Sequence, residues 1–200
     1  MKPILFNTDM VRAILDGRKT VTRRVVKPRY RDGEHGFQIL THKDGRFAGI
    51  EVIDENEFPT RWLASPYQPG DILYVRETWA KSMAGTYIYK STDTPLILDR
   101  WRPSIHMPKD AARLFLRVTD VRVERLWSVD TADALAEGMR SDCPGTTIGV
   151  VDAFCKLWNS TIKPADLPVY GWEANPWVWV IAFERVSMED ALKGGEGLSS

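Results

Sequence analysis

The chain has 200 residues, 44% of them hydrophobic, which is enough for a substantial core in one domain with long loops. Lysine and arginine number 27, as do aspartate and glutamate, so the formal charge is zero; a generally basic, histone-like protein is excluded, and any nucleic-acid contact must be confined to a patch. Cys143 and Cys155 are too few for a disulfide framework and lack zinc-site spacing, and no apolar run approaches the ~20 residues of a membrane span, so the expectation is a cytoplasmic protein with no metal, cofactor or membrane partner.

Residues 3–6 read as a short strand, after which Thr8 can cap a helix carrying Met10, Val11, Ile14 and Leu15 at helical spacing, with Gly17 as its stop. Residues 20–26 alternate with mixed faces, as a half-exposed extended segment does. From 28 to 66 the chain is rich in glycine, acids and charged turns such as Arg31-Asp32-Gly33 and Lys43-Asp44-Gly45, which predicts hairpins or an irregular excursion of low order. Pro69-Gly70 is placed for a type II turn, and a β-rich strand follows over 72–79. Another strand is expected near 86–90, then a proline-bracketed connection over 101–108. Residues 113–126 alternate around a Thr119-Asp120 break, predicting a long or bulged strand.

Ser128 or Asp130 can cap a short helix through Ala132, Leu135 and Ala136, which Gly138 ends just after Glu137. A second helix over 150–162 places Val151, Phe154, Trp158 and Ile162 on one stripe, with Cys155 beside them. Residues 176–186 form a strand apolar on both faces, hence inside a sheet or barrel. A disordered tail is expected from 189 to 200. The mixed order of elements predicts an α+β domain built on a curved sheet or barrel.

The least uniform feature is charge. Arg12, Arg18, Lys19, Arg23, Arg24, Lys27, Arg29 and Arg31 crowd one stretch of a neutral chain, and a local positive field of that kind points to phosphate. A merely solvated strand face is the plainer alternative. Within the cluster, Asp16-Gly17-Arg18-Lys19-Thr20-Val21-Thr22-Arg23-Arg24 resembles the opening motif of the ASCH domain, a PUA-like family. The turn Tyr67-Gln68-Pro69-Gly70-Asp71, the helix end Leu135-Ala136-Glu137-Gly138-Met139 and the closing strand from Trp177 to Phe183 are similar to that family's further motifs, in the same order. The pairing of Val75-Arg76-Glu77-Thr78-Trp79 with Trp101-Arg102-Pro103-Ser104-Ile105-His106-Met107-Pro108 resembles the longer ASCH proteins of bacteriophages and prophages. The likeness covers residues 2–185, with additions relative to minimal members over 28–66, 94–108 and 140–174, in a single domain over 1–188.

That resemblance implies a PUA-like curved sheet or β-barrel with a cleft, and RNA or a modified nucleoside as partner for a monomer or weak dimer. It also implies amide hydrolysis of the acetylcytidine type, a ribonuclease, or a non-catalytic RNA-binding module. By motif the catalytic residues would be Lys19, Thr22 and Glu137, with Arg18, Arg23, Arg24, Arg76, Glu77, Trp79, Trp101 and His106 toward the ligand. Thr22 would be a hydroxyl nucleophile needing a base, and Lys19 a base if burial and neighbouring arginines lower its pKa. Glu137 would position water or relay a proton. Lys19 and Thr22 fall on opposite faces of a regular strand, so a turn or bulge near Gly17 is required to bring them together. Trp62, Trp101, Trp127 and Trp172 are candidate stacking platforms, whereas Trp158, Trp177 and Trp179 read as core.

Overall fold

A computed structural model describes residues 1–43, 47–93, 100–141 and 146–196. The strand that is apolar on both faces, Trp177–Val186 (β10), organises it. Five strands share its sheet: Lys2–Leu5 (β1), Val21–Val25 (β2), Ile72–Arg76 (β6), Phe115–Arg125 (β9) and β10, in the order β1-β6-β9-β10-β2. β1 runs parallel to β6, and the other pairs are antiparallel. Because side chains alternate along a strand, β10 sends Trp179, Ile181 and Phe183 into one apolar cluster and Val178 and Val180 into another.

The first cluster is closed by helix α1 (Thr8–Leu15), through Val11 and Ile14, and by a meander of Glu34–Thr41 (β3), Phe47–Asp54 (β4) and Pro59–Trp62 (β5). Residues 28–66 are therefore largely hairpin and not an irregular excursion, and the predicted turn at 43–45 falls partly outside the described residues. The meander is ordered by tertiary contact: Phe47 packs edge-on against Trp179 at 5.8 Å, and Phe37 and Ile39 join the same cluster. The second cluster is covered by α2 (Thr131–Ala136) and α3 (Val150–Thr161), with Val150, Phe154 and Trp158 buried. The run expected over 72–79 splits at Glu77-Thr78 into β6 and β7 (Trp79–Lys81), which pairs with β8 (Tyr87–Tyr89). Leu167–Tyr170 (α4) completes the helices before β10.

The break in β9 is a bulge: Asp120 faces Ala182 and Val118 faces Phe183, leaving Thr119 unpaired. The tail is helical over Met188–Glu196 (α5) and not disordered there, because Ser187 caps it by accepting from the Asp190 N–H at 3.0 Å and Ala191 is buried against Ile72 and Phe115. Among the described residues no helix is long and apolar enough to cross a membrane.

The sheet is curved but does not close into a barrel, since its edge strands β1 and β2 are not paired with each other. They face one another across a seam. The Arg24 guanidinium on β2 reaches over it to donate to the Leu5 carbonyl of β1 at 3.0 Å.

Candidate functional site

Two helix ends build the site. After α1, Gly17 takes φ +73°, and the N–H groups of Arg18 and Lys19 both donate to the Ala13 carbonyl, at 2.9 and 3.0 Å, so the chain doubles back before β2. After α2, which Asp130 caps, Gly138 takes φ +93°. A Cβ at Gly138 would stand 2.7 Å from the Ala13 Cβ and 3.1 Å from the Lys19 Cβ, so the two ends meet only because glycine is there. Lys19 and Glu137 form an isolated bridge, and the Thr20 N–H donates to the Ala136 carbonyl at 2.8 Å.

This places a buried charge network at the start of β2. The Lys19 ammonium donates to Glu137 Oε2 at 2.5 Å, to the Glu137 carbonyl at 3.0 Å and to the Val21 carbonyl at 2.8 Å. Arg23, also buried, reaches Glu137 Oε1 at 3.4 Å, Asp133 Oδ2 at 3.1 Å and Glu124 Oε2 at 3.5 Å. Its Nε has no partner. Burial lowers the Lys19 pKa from the ordinary lysine value, with smaller contributions from Arg24 and Arg23, while the charge and hydrogen bond of Glu137 oppose the change. The amine thus sits between a cost of desolvation and a carboxylate that offsets part of it.

Thr22 is buried on β2, and its hydroxyl accepts from Arg24 Nη1 at 3.0 Å. Lys19 precedes β2, so strand alternation does not run from 19 to 22; the turn at Gly17 lies before both residues and sets Lys19 against the end of α2. Thr22, Arg23, Arg24 and Glu137 line one small internal void of about 30 Å³. That void adjoins the seam cavity of about 660 Å³ through the shared residues Met10, Arg23, Arg24, Trp158 and Thr161. The larger volume lies within the ordinary range of small-molecule sites. Its walls are the two sheet edges, whose carbonyls are met by side chains: Tyr67 donates to Pro3 at 2.8 Å, while Arg24 donates to Leu5 at 3.0 Å and to Arg23 at 3.1 Å. Phe6 contributes an apolar wall, with Lys19 Nζ 5.6 Å and the Arg24 guanidinium 5.5 Å from its ring centre.

Lys19 meets Glu137 directly, and Thr22 shares the wall of the small void with Glu137, Arg23 and Arg24, but among the described residues no hydrogen bond joins Thr22 to Lys19 or Glu137. The other expected ligand residues lie elsewhere. Arg18 donates to the Gly138 carbonyl and pairs with Asp16, facing a separate hollow of about 330 Å³ that also reaches Glu137. Arg76 donates to the Ile105 carbonyl. Glu77 is buried in a structural pair with Arg113, at 2.9 Å, and with Ser91. Trp79 is buried against Tyr87 at 5.6 Å. Trp101 and His106 line a hollow of their own, with His106 exposed in the short turn Ser104–His106. Of the proposed platforms, Trp62 leans on Gly49 at the meander edge, and Trp127 donates its ring N–H to the Trp172 carbonyl at 2.8 Å.

The basic cluster does not act as one patch. Arg12 pairs with Asp9 and Arg18 with Asp16, and Lys19 and Arg23 are buried in ion pairs. Lys27, Arg29 and Arg31 alone of the eight are exposed with no carboxylate in ion-pair reach among the described residues. Sequence reasoning missed Asp133, Glu124 and Tyr67. Asp133 stands four residues before Glu137, a spacing that puts both carboxylates on one helix face and could have been read.

No family model matches the chain, and no curated protein does. A crystal structure from Enterococcus faecalis V583, of a protein described by the family model DUF984, is 12% identical with a TM-score of 0.45, over 94% of this chain and 82% of that one. A likeness of that degree assigns no function.

Proposed function

We propose that the seam cavity binds a modified nucleoside and that Lys19, Thr22 and Glu137 hydrolyse an amide on its base, as the resemblance to ASCH amidohydrolases of acetylcytidine implies. One observation carries the reading. Two of the resembling motifs, 118 positions apart, meet in a direct Lys19–Glu137 contact, and Glu137 shares with Thr22 a void that adjoins a ligand-sized cavity. The void holds about one water-sized group, so the methyl end of the acetyl group would enter it while the base stays in the seam.

In this scheme Thr22 Oγ1 attacks the acetyl carbonyl carbon as its proton passes to the Lys19–Glu137 pair. The carbon–nitrogen bond then breaks, the exocyclic amine takes the proton, and water releases acetate from Thr22. Burial of Lys19 favours the neutral amine that a base requires, and the Arg24 hydrogen bond to Thr22 favours negative charge on that oxygen. The test is acetate release from N4-acetylcytidine. Thr22→Val, which removes the hydroxyl at nearly constant shape, should abolish turnover with nucleoside binding retained, and Thr22→Ser should keep it. Undiminished turnover in Thr22→Val would end the scheme. A second reading, a binding module without chemistry, is favoured by the Lys19 ammonium already having three acceptors; it is established if wild type binds the nucleoside and releases no acetate.

A further inference from the structure

Arg100, Trp101, Arg102, Pro103 and His106 line a second hollow of about 420 Å³, and Pro103 lines the seam cavity as well. Among the described residues no carboxylate lines this hollow. Arg100 and Arg102 are exposed, and neither has an ion-pair partner among the described residues. Two unpaired guanidiniums, an imidazole and an indole in one recess form a donor set suited to a phosphate ester, because arginine offers planar paired donors that match phosphate oxygens.

The recess is also held in shape. Arg102 and Trp79 exchange backbone hydrogen bonds at 2.7 and 3.1 Å, and the Arg102 guanidinium lies 5.2 Å over the Trp79 ring. Arg76 donates to the Ile105 carbonyl, and the Met107 side chain is buried beneath the turn, its sulfur accepting from the Glu77 N–H at 3.1 Å. The backbone from Arg102 to Met107 is thus anchored, which fixes where Arg102 and His106 stand before a ligand arrives.

We propose that this hollow takes the phosphate of a nucleotide whose base occupies the seam cavity; the inference rests on the nucleoside reading and narrows it to phosphorylated ligands. The experiment is calorimetric titration with cytidine, cytidine 5′-monophosphate and cytidine 3′-monophosphate, none of which carries the scissile group. One monophosphate should bind about tenfold or more tighter than cytidine, the gain expected of a charge-assisted hydrogen bond. The variant Arg100→Ala/Arg102→Gln should reduce that advantage to near unity while cytidine affinity stays unchanged and the melting temperature falls only by the small amount that loss of the Arg102–Trp79 contact costs. Millimolar inorganic phosphate should compete with the monophosphate and not with cytidine. Cytidine binding with no gain from either phosphate, or a gain that survives the double substitution, overturns the inference and leaves the nucleoside reading standing. Failure of all three ligands to bind overturns both.

Discussion

At the scale of single residues, the site is a balance of buried charges. Lys19, Arg23 and Glu137 are each under 4% exposed, and a buried ion stripped of its partner costs far more than the pair contributes. Glu137→Gln removes the carboxylate that both cations share, so it should destabilise the protein by about 3–5 kcal/mol in urea unfolding, measured with Lys19→Met as companion. The double variant should cost less than the sum of the singles by at least about 1 kcal/mol, because removing the amine relieves the orphaned site. Additive costs would mean that Lys19 and Glu137 are not energetically coupled. Lys19, Thr22 and Glu137 were singled out through the motifs that resemble the ASCH family, while what local signals offered was the helix ends at Gly17 and Gly138 beside which Lys19 and Glu137 stand. Glu124 was in neither: it reaches Arg23 only because β9 and β2 flank the same stretch of β10, where Glu124 faces Val178 and Arg23 faces Val180.

At the scale of elements, the decisive contacts are those where one segment ends against another. Gly17 and Gly138 both hold positive φ, but a Cβ on Gly17 meets open space whereas one on Gly138 meets Ala13 and Lys19. Gly17→Ala should therefore cost only the left-handed backbone penalty, about 1–2 kcal/mol. Gly138→Ala adds steric overlap of about 1–3 kcal/mol and should also lower turnover by pushing Glu137 from Lys19, which Gly17→Ala should not do. Equal costs by thermal unfolding, with equal turnover, would remove the close approach from the account. Helix ends could be read from sequence to within a residue because their signals are local, the cap of α1 being Asn7, which accepts from the Met10 N–H, where Thr8 was expected. The order of the meander could not, since Phe37, Ile39 and Phe47 gain their burial from β10, far along the chain. The same holds for α5, where Gly194 and Gly195 suggest a loose end while a Ser187 cap and the seat for Ala191 hold a helix.

At the scale of the whole molecule, a neutral protein presents a smaller electrostatic footprint than its sequence suggests. Eight clustered cations read as one field, yet the fold spends Arg12 and Arg18 on neighbouring acids, buries Lys19 and Arg23 and turns Arg24 to Thr22 and the Leu5 carbonyl, leaving Lys27, Arg29 and Arg31 exposed without an ion pair among the described residues. Linear clustering cannot distinguish these fates, because Arg12 stands on α1, Arg18 and Lys19 in the turn after Gly17, Arg23 and Arg24 on β2, and the last three beyond it. Of this exposed set Lys27 lines the seam cavity, so on the proposed reading a nucleic-acid strand leaving the cavity would meet Lys27 first, with Arg29 and Arg31 following it along the chain. Each phosphate contact on a single strand contributes about 0.7 to the slope of log affinity against log salt, so replacing Lys27, Arg29 and Arg31 with alanine should flatten that slope by about 2. Replacing Arg12 and Arg18 should leave it nearly unchanged, because their charges are already answered by Asp9 and Asp16. Fluorescence titration of a short single-stranded RNA across a salt series measures both, and equal flattening from the two sets would return the footprint to the cluster as a whole.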